Sequence, residues 1–126
     1  MLSTGVDILH IPRMKRAIER YGQRILNRCF TKPEIASCRG FAEEFAARYA
    51  AKEAVSKALG VGLRVMSPFG IKFHEVEILP DRLGKPHVHL HGRAAQRAQE
   101  LGLTEWSVSL THEKEYAVAF VVAMSH

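Results

Sequence analysis

The sequence predicts a single α+β domain spanning residues 1–126. Three observations lead there: a strand pattern opens the chain, helical patterns cluster between residues 12 and 59, and two hairpin patterns follow, the second closing the chain. No internal repeat, low-complexity tract or linker interrupts that order. At 126 residues the chain can bury a core without disulfides or a structural metal. Its 47% hydrophobic and 25% charged composition is that of a globular protein rather than a disordered tail.

Residues 3–9, STGVDIL, read as an edge or terminal strand, with Thr4, Val6 and Ile8 on one face and Gly5 and Asp7 on the other. An acid between Val6 and Ile8 has two readings of similar weight, a solvent-facing side chain or a functional one. Pro12 then opens a helix whose apolar stripe is Met14, Ile18, Tyr21 and Ile25. Opposite the stripe stand Arg13, Arg16, Arg20, Arg24 and Arg28, and Gly22 is placed to divide the helix into two. Arginines at i, i+4 repel one another, so this face makes better sense opposite an anionic surface than as a solubilising one.

Thr31 and Glu34 have capping-box spacing with Pro33 in the first turn, which predicts a short helix to about Cys38, ending near Gly40. A longer helix starts around Ala42, with Glu43 and Glu44 near its positive end and Gly60 as a left-handed cap. Along it Ala47, Ala50, Ala51, Ala54 and Ala58 form a small-residue side that lets another backbone approach. Tyr49, Glu53 and Lys57 line up at steps of four. Spacing alone favours a solvated Glu53–Lys57 pair contributing about 0.2–0.5 kcal/mol.

Gly60, Gly62, Ser67, Pro68 and Gly70 predict a loop. Residues 71–79 read as a strand, 81–86 as a turn and 87–91 as its partner, with Val88 and Leu90 inward and His87, His89 and His91 outward. Arg93 to Leu101 reads as a helix stopped by Gly102. The final hairpin runs Trp106–His112 and Tyr116–Ala123: Trp106, Val108 and Leu110 face a core, while Ser107, Ser109 and Thr111 form a hydroxyl row leading to His112. That row suits phosphate contacts, although plain surface residues explain it equally simply.

Cys29 and Cys38 fall in helical stretches without zinc-ligand spacing, so reduced structural thiols are expected. Asp7 interrupts the first apolar run, which argues against a signal peptide. The longest apolar run, Tyr116–Met124, is too short to cross a bilayer and suits a buried strand. A cytoplasmic location without membrane association follows. The net charge of +5 points to an acidic partner without distinguishing nucleic acid, phosphorylated cofactor or protein.

Taken together, GVDIL, FTKPEIASC, RYAAKEAVSKALG, DRLGKPHVHLHG and SVSLTHEKEYAVAFV strongly resemble the bacterial holo-acyl-carrier-protein synthases, the small single-module branch of the 4′-phosphopantetheinyl transferases. The resemblance spans almost the whole chain in the family's order, and its GxD and KExxxK elements are specific in combination. It implies the 4′-phosphopantetheinyl transferase fold, an antiparallel sheet packed with a long central helix and shorter helices. It also implies Mg²⁺-dependent transfer of 4′-phosphopantetheine from coenzyme A to a serine of apo-acyl carrier protein, releasing adenosine 3′,5′-bisphosphate and supporting fatty acid biosynthesis.

By the same resemblance, Asp7 and Glu53 bind Mg²⁺ with the coenzyme A diphosphate, and Lys57 serves phosphate binding and catalysis. Two carboxylates suffice for a cation that keeps water and substrate phosphates in its shell. Ser109, Thr111 and His112 match a segment near the coenzyme A phosphates, and Arg48 and Lys52, flanking the key helix, reach either those phosphates or solvent. Arg13, Arg16 and Arg20 correspond to the basic helix that receives acyl carrier protein. Small members form homotrimers with active sites shared between subunits. Two departures stand out: Leu9 replaces the further acid of two-domain relatives, and His10 replaces a glutamate of many small members. The general base is open among metal-bound water, a carboxylate and Lys57.

A nucleic-acid-binding module using the arginine stripe is the alternative. The chain has no RNP-like aromatic pair or zinc-finger spacing, and Asp7 and Glu53 are poorly chosen to attract DNA. Nucleic acid is therefore not expected as a partner.

Overall fold

The computed structural model describes residues 1–63 and 70–126; Ser67 and Pro68 of the expected loop lie outside the described residues. Strand β1 (Leu2–His10) runs straight into helix α1 (Ile11–Tyr21), with Pro12 in its first turn, where the missing N–H sacrifices no helical bond. Gly22, at φ 58°, divides the basic segment into α1 and α2 (Gln23–Cys29), as expected. Helix α3 (Lys32–Cys38) has the predicted capping box: Glu34 N donates to Thr31 Oγ1 at 3.3 Å and Thr31 N to Glu34 Oε1 at 2.8 Å. The long helix α4 spans Ala42–Ala58.

The strand expected over residues 71–79 begins only at Val76. Phe73–Glu75 instead forms a 3₁₀ turn, because Glu75 turns its carboxylate back to accept from Lys72 N at 2.7 Å and from Arg93 N at 2.6 Å. Strands β2 (Val76–Pro80) and β3 (Pro86–Leu90) then pair as a hairpin and lead to helix α5 (Gly92–Leu101). Strands β4 (Glu105–His112) and β5 (Tyr116–Met124) complete the chain. Among the described residues the five strands pair antiparallel, in a three-stranded sheet of order β1-β5-β4 and a separate β2-β3 pair, and one isolated parallel bridge joins Leu63 to Ile71.

Helix α4 covers the inner face of the larger sheet. Its predicted small side is real: Ala47, Ala50, Ala51, Ala54 and Ala58 are buried, and β1 lies so close that Ser3 Oγ donates to Ala58 O at 2.6 Å. One apolar cluster gathers around Ala54, Val55, Leu59 and Val121, another around Met14, Phe30 and Phe45; Leu9, Phe73 and Leu110 touch both.

The outer face of the sheet is also apolar. Leu2, Val6, Ile8, Tyr116, Phe120 and Met124 are exposed there, so the Tyr116–Met124 run is buried on its alanine and Val121 side only. In register, Val6 pairs with Phe120 and Phe120 with Ser109; Ile8 pairs with Val118 and Val118 with Thr111. A contiguous apolar surface of this kind marks an interaction face.

Candidate active site

Asp7 stands on the α4 side of β1, partly buried, rather than facing open solvent. Its Oδ1 lies 3.1 Å from Lys57 Nζ, which also donates to Val6 O at 3.0 Å. The Glu53–Lys57 pairing suggested by spacing therefore gives way to a pairing between β1 and the last turns of α4.

Glu53 is left facing Asp7 with no hydrogen bond or ion pair to its carboxylate among the described residues. Burial pushes its pKa up and the Asp7 charge pushes it further, with Lys57 opposing. Two carboxylates from segments far apart in sequence, one without any donor, are a donor set that suits a hard divalent cation. Both line a cleft of about 530 Å³ with Leu9, Arg13, Met14 and Tyr49. Leu9, where a third acid would stand, contributes to both apolar clusters, so the protein itself offers two carboxylates there.

A second cleft of about 500 Å³ adjoins the first through Ile25 and Tyr49 and is edged by Arg24 and Arg28. Arg13, Arg16 and Arg20 are exposed along α1, so the basic face continues past Gly22 toward this cleft. Tyr49 packs its ring on Phe73 at 5.3 Å, and burial pushes its hydroxyl up to about 12, with Glu53 adding to the shift. Tyr49, Arg24 and Arg28 were visible as helix-face residues in the sequence, but the boundary between the two clefts was not.

Lys52 needs correction: it reaches neither phosphate nor solvent. It is fully buried, and Nζ donates to Glu34 Oε1 at 2.8 Å, Phe73 O at 2.9 Å and Val76 O at 2.6 Å, using every ammonium proton. Burial lowers its pKa, and Glu34 works against that shift. Arg48 is also buried rather than solvent-facing, its Nη1 donating to Glu44 Oε2 at 2.7 Å and to Glu44 O at 3.3 Å.

His112 lies 4.0 Å from the other Glu44 oxygen. Glu44 precedes Glu53 on α4 by roughly 13 Å of helix, so His112 and Arg48 gather near the start of that helix, away from Asp7. Ser109 and Thr111 are exposed on the outer face, with the sheet between them and Asp7. One chain thus brings together Asp7, Glu53, Lys57 and Arg13, but not the hydroxyl row. His10 packs its ring against Tyr116 at 5.2 Å.

Residues 3–121 match the model of the 4′-phosphopantetheinyl transferase superfamily. A holo-[acyl-carrier-protein] synthase from Herpetosiphon aurantiacus is 49% identical over 126 residues, covering 98% of this chain and 99% of that one. Among solved structures, Helicobacter pylori holo-[acyl-carrier-protein] synthase in complex with coenzyme A superposes with a TM-score of 0.84 at 27% identity, covering 96% and 99% of the two chains. The same enzyme from Neisseria meningitidis gives a TM-score of 0.82 at 32% identity, covering 98% of each.

Proposed function

The chain belongs to the 4′-phosphopantetheinyl transferase superfamily, among its holo-[acyl-carrier-protein] synthases, and we propose that it transfers 4′-phosphopantetheine from coenzyme A to a serine of apo-acyl carrier protein in a Mg²⁺-dependent reaction. The carrier's serine oxygen forms a bond to phosphorus as the bond to adenosine 3′,5′-bisphosphate breaks, the hydroxyl proton leaving to a base in the cleft and from there to solvent, so the nucleophile comes from the partner. The reaction serves fatty acid biosynthesis in the cytoplasm, and residues 1–126 act as one catalytic domain. The apolar clusters joined through Leu9, Phe73 and Leu110 support that unity.

The observation that carries the reading is the meeting of Asp7 and Glu53 in one cleft, with Glu53 lacking a donor among the described residues. These two would hold Mg²⁺, which when bound supplies Lewis-acid stabilisation of charge on the diphosphate. Lys57 is 53% exposed at its side chain, so its ammonium is free to exchange Asp7 for a substrate phosphate oxygen. Arg13 places a guanidinium at the rim of the same cleft, and Arg13, Arg16 and Arg20 form the docking face for the acidic carrier.

We propose further that the protein works as a homotrimer. The apolar outer sheet face supplies the association surface, and Ser109 and Thr111 would serve a neighbour's coenzyme A phosphates rather than their own chain's cleft. His112, exposed at the end of β4, would serve a coenzyme A phosphate as well, while Arg48 is held back from that role by its bonds to Glu44.

Incubating the protein with apo-acyl carrier protein, coenzyme A and Mg²⁺, followed by intact-mass analysis of the carrier, tests the activity. The expected result is one phosphopantetheine mass addition that chelation prevents. An unmodified carrier that another transferase can still modify would sink the assignment.

A further inference from the structure

Lys52 and Glu34 form a fully buried ion pair one residue away from Glu53. Such a pair is a poor way to gain stability, because desolvating both charges offsets most of their attraction and well-packed apolar residues do as well. Its directional bonds are a better explanation for its presence than its energy.

We propose that Lys52, anchored by Glu34 and by the Phe73 and Val76 carbonyls, is a positioning residue that fixes the rotation of α4 about its axis and so aims Glu53 into the Asp7 cleft. The inference rests on the metal-binding reading of Asp7 and Glu53 given above.

Successive side chains on a helix stand about 100° apart, so Lys52 and Ala54 flank Glu53 on either side. On the Ala54 side the helix meets β1 through Gly5 and the alanine series, a smooth contact whose directional ties are the Ser3 Oγ bond to Ala58 O at the end of the helix and the bonds of the half-exposed Lys57 to Val6 O and Asp7. Apolar contact of this kind has no preferred direction. The Lys52 side is different. Its ammonium meets three acceptors at 2.6–2.9 Å, and the Phe30 ring lies 5.6 Å away. Glu34 is itself held by Thr31 N and Ile78 N, each at 2.8 Å. The anchor therefore ties α4 to α3, β2 and the Phe73–Glu75 turn together, and hydrogen-bond geometry restricts rotation where packing does not.

The test compares wild type with Glu34→Gln and with Glu34→Gln/Lys52→Met, the first keeping shape and the second removing both charges. Leu103→Ala, a buried core change away from the cleft, controls for lost stability. Mn²⁺ binding in the presence of coenzyme A is followed by electron paramagnetic resonance, alongside thermal unfolding and transfer kinetics. Loss of the anchor should weaken Mn²⁺ binding roughly tenfold or more, the usual effect of removing a partner that orients a ligand. kcat should fall with it, while Leu103→Ala lowers Tm and leaves the Mn²⁺ constant alone. If folded Glu34→Gln protein binds Mn²⁺ as wild type does, the inference is overturned. Wild-type protein that takes up no Mn²⁺ overturns the metal reading and the inference together.

Discussion

Gly5 presses its bare Cα against the Ala54 carbonyl, and a methyl at residue 5 would overlap that oxygen. The obstacle is backbone, so no side-chain rotation relieves it. Gly5→Ala should therefore lift β1 from α4, lowering the urea midpoint by the equivalent of about 2 kcal/mol or more. It should also lower the transfer rate, because Asp7 lies two residues along the displaced strand. A wild-type midpoint in the variant would show that the strand and helix separate freely.

Asp7, Glu53 and Lys57 should divide stability from activity. The Asp7–Lys57 pair is 53% exposed on the lysine side, and pairs of that kind contribute about 0–1 kcal/mol. Asp7→Asn, Glu53→Gln and Lys57→Met should each fold, yet lose most of kcat. Normal turnover by either carboxylate variant would remove that residue from the metal site.

Reversing charge at Arg13 and Arg16 should act on the partner instead. Both are exposed on α1, and charge complementarity at such positions chiefly accelerates association. Arg13→Glu/Arg16→Glu should raise the KM for carrier by roughly tenfold or more and flatten its dependence on salt, since the attraction that salt screens is gone. An unchanged carrier KM would place docking elsewhere.

Glu77 gives the fold a pH dependence away from the cleft. Burial acts to raise its pKa, but hydrogen bonds from Thr31 Oγ1 at 2.6 Å and His91 Nε2 at 3.0 Å outweigh it, and the carboxyl lies below its ordinary 4.5. The folded state then binds this proton less tightly than the unfolded one. The stabilisation is fully present above 4.5 and fades as pH falls through the depressed value. Glu77→Gln should lower Tm at pH 7 and flatten the acid limb of the Tm profile; an unaltered acid limb would assign that limb to other carboxylates.

How much of this was legible beforehand follows from the range of each interaction. Capping at Thr31, the break at Gly22 and the alternation of β4 are local, so neighbours in sequence decided them. The Glu53–Lys57 spacing was read correctly as one face, but Asp7, fifty residues away, took the lysine. Lys52 misled because no residue near it in sequence supplies the acceptors a buried ammonium needs; Glu34, Phe73 and Val76, which do, arrive from other segments. Residues 71–75 look strand-like until Glu75 finds the Lys72 and Arg93 amides. The two faces of β1 were separated correctly by parity, but nothing in an alternating pattern says which of them meets the core, and it is the apolar one, with Val6 and Ile8, that is left exposed.

That exposed face leads to the sharpest test of assembly. Val6 and Phe120 pair at its centre with Ser109 alongside, while Asp7 looks the opposite way. If neighbours complete one another's clefts, a subunit lacking Asp7 can still lend its Ser109 and Thr111. Asp7→Asn and Ser109→Ala/Thr111→Ala proteins, each weakly active alone, should recover activity when unfolded and refolded together, because mixed trimers contain some intact sites. Phe120→Glu should give monomers by analytical ultracentrifugation and abolish the recovery. A fully active wild-type monomer, or mixtures no better than their components, would mean that each chain works with its own residues only.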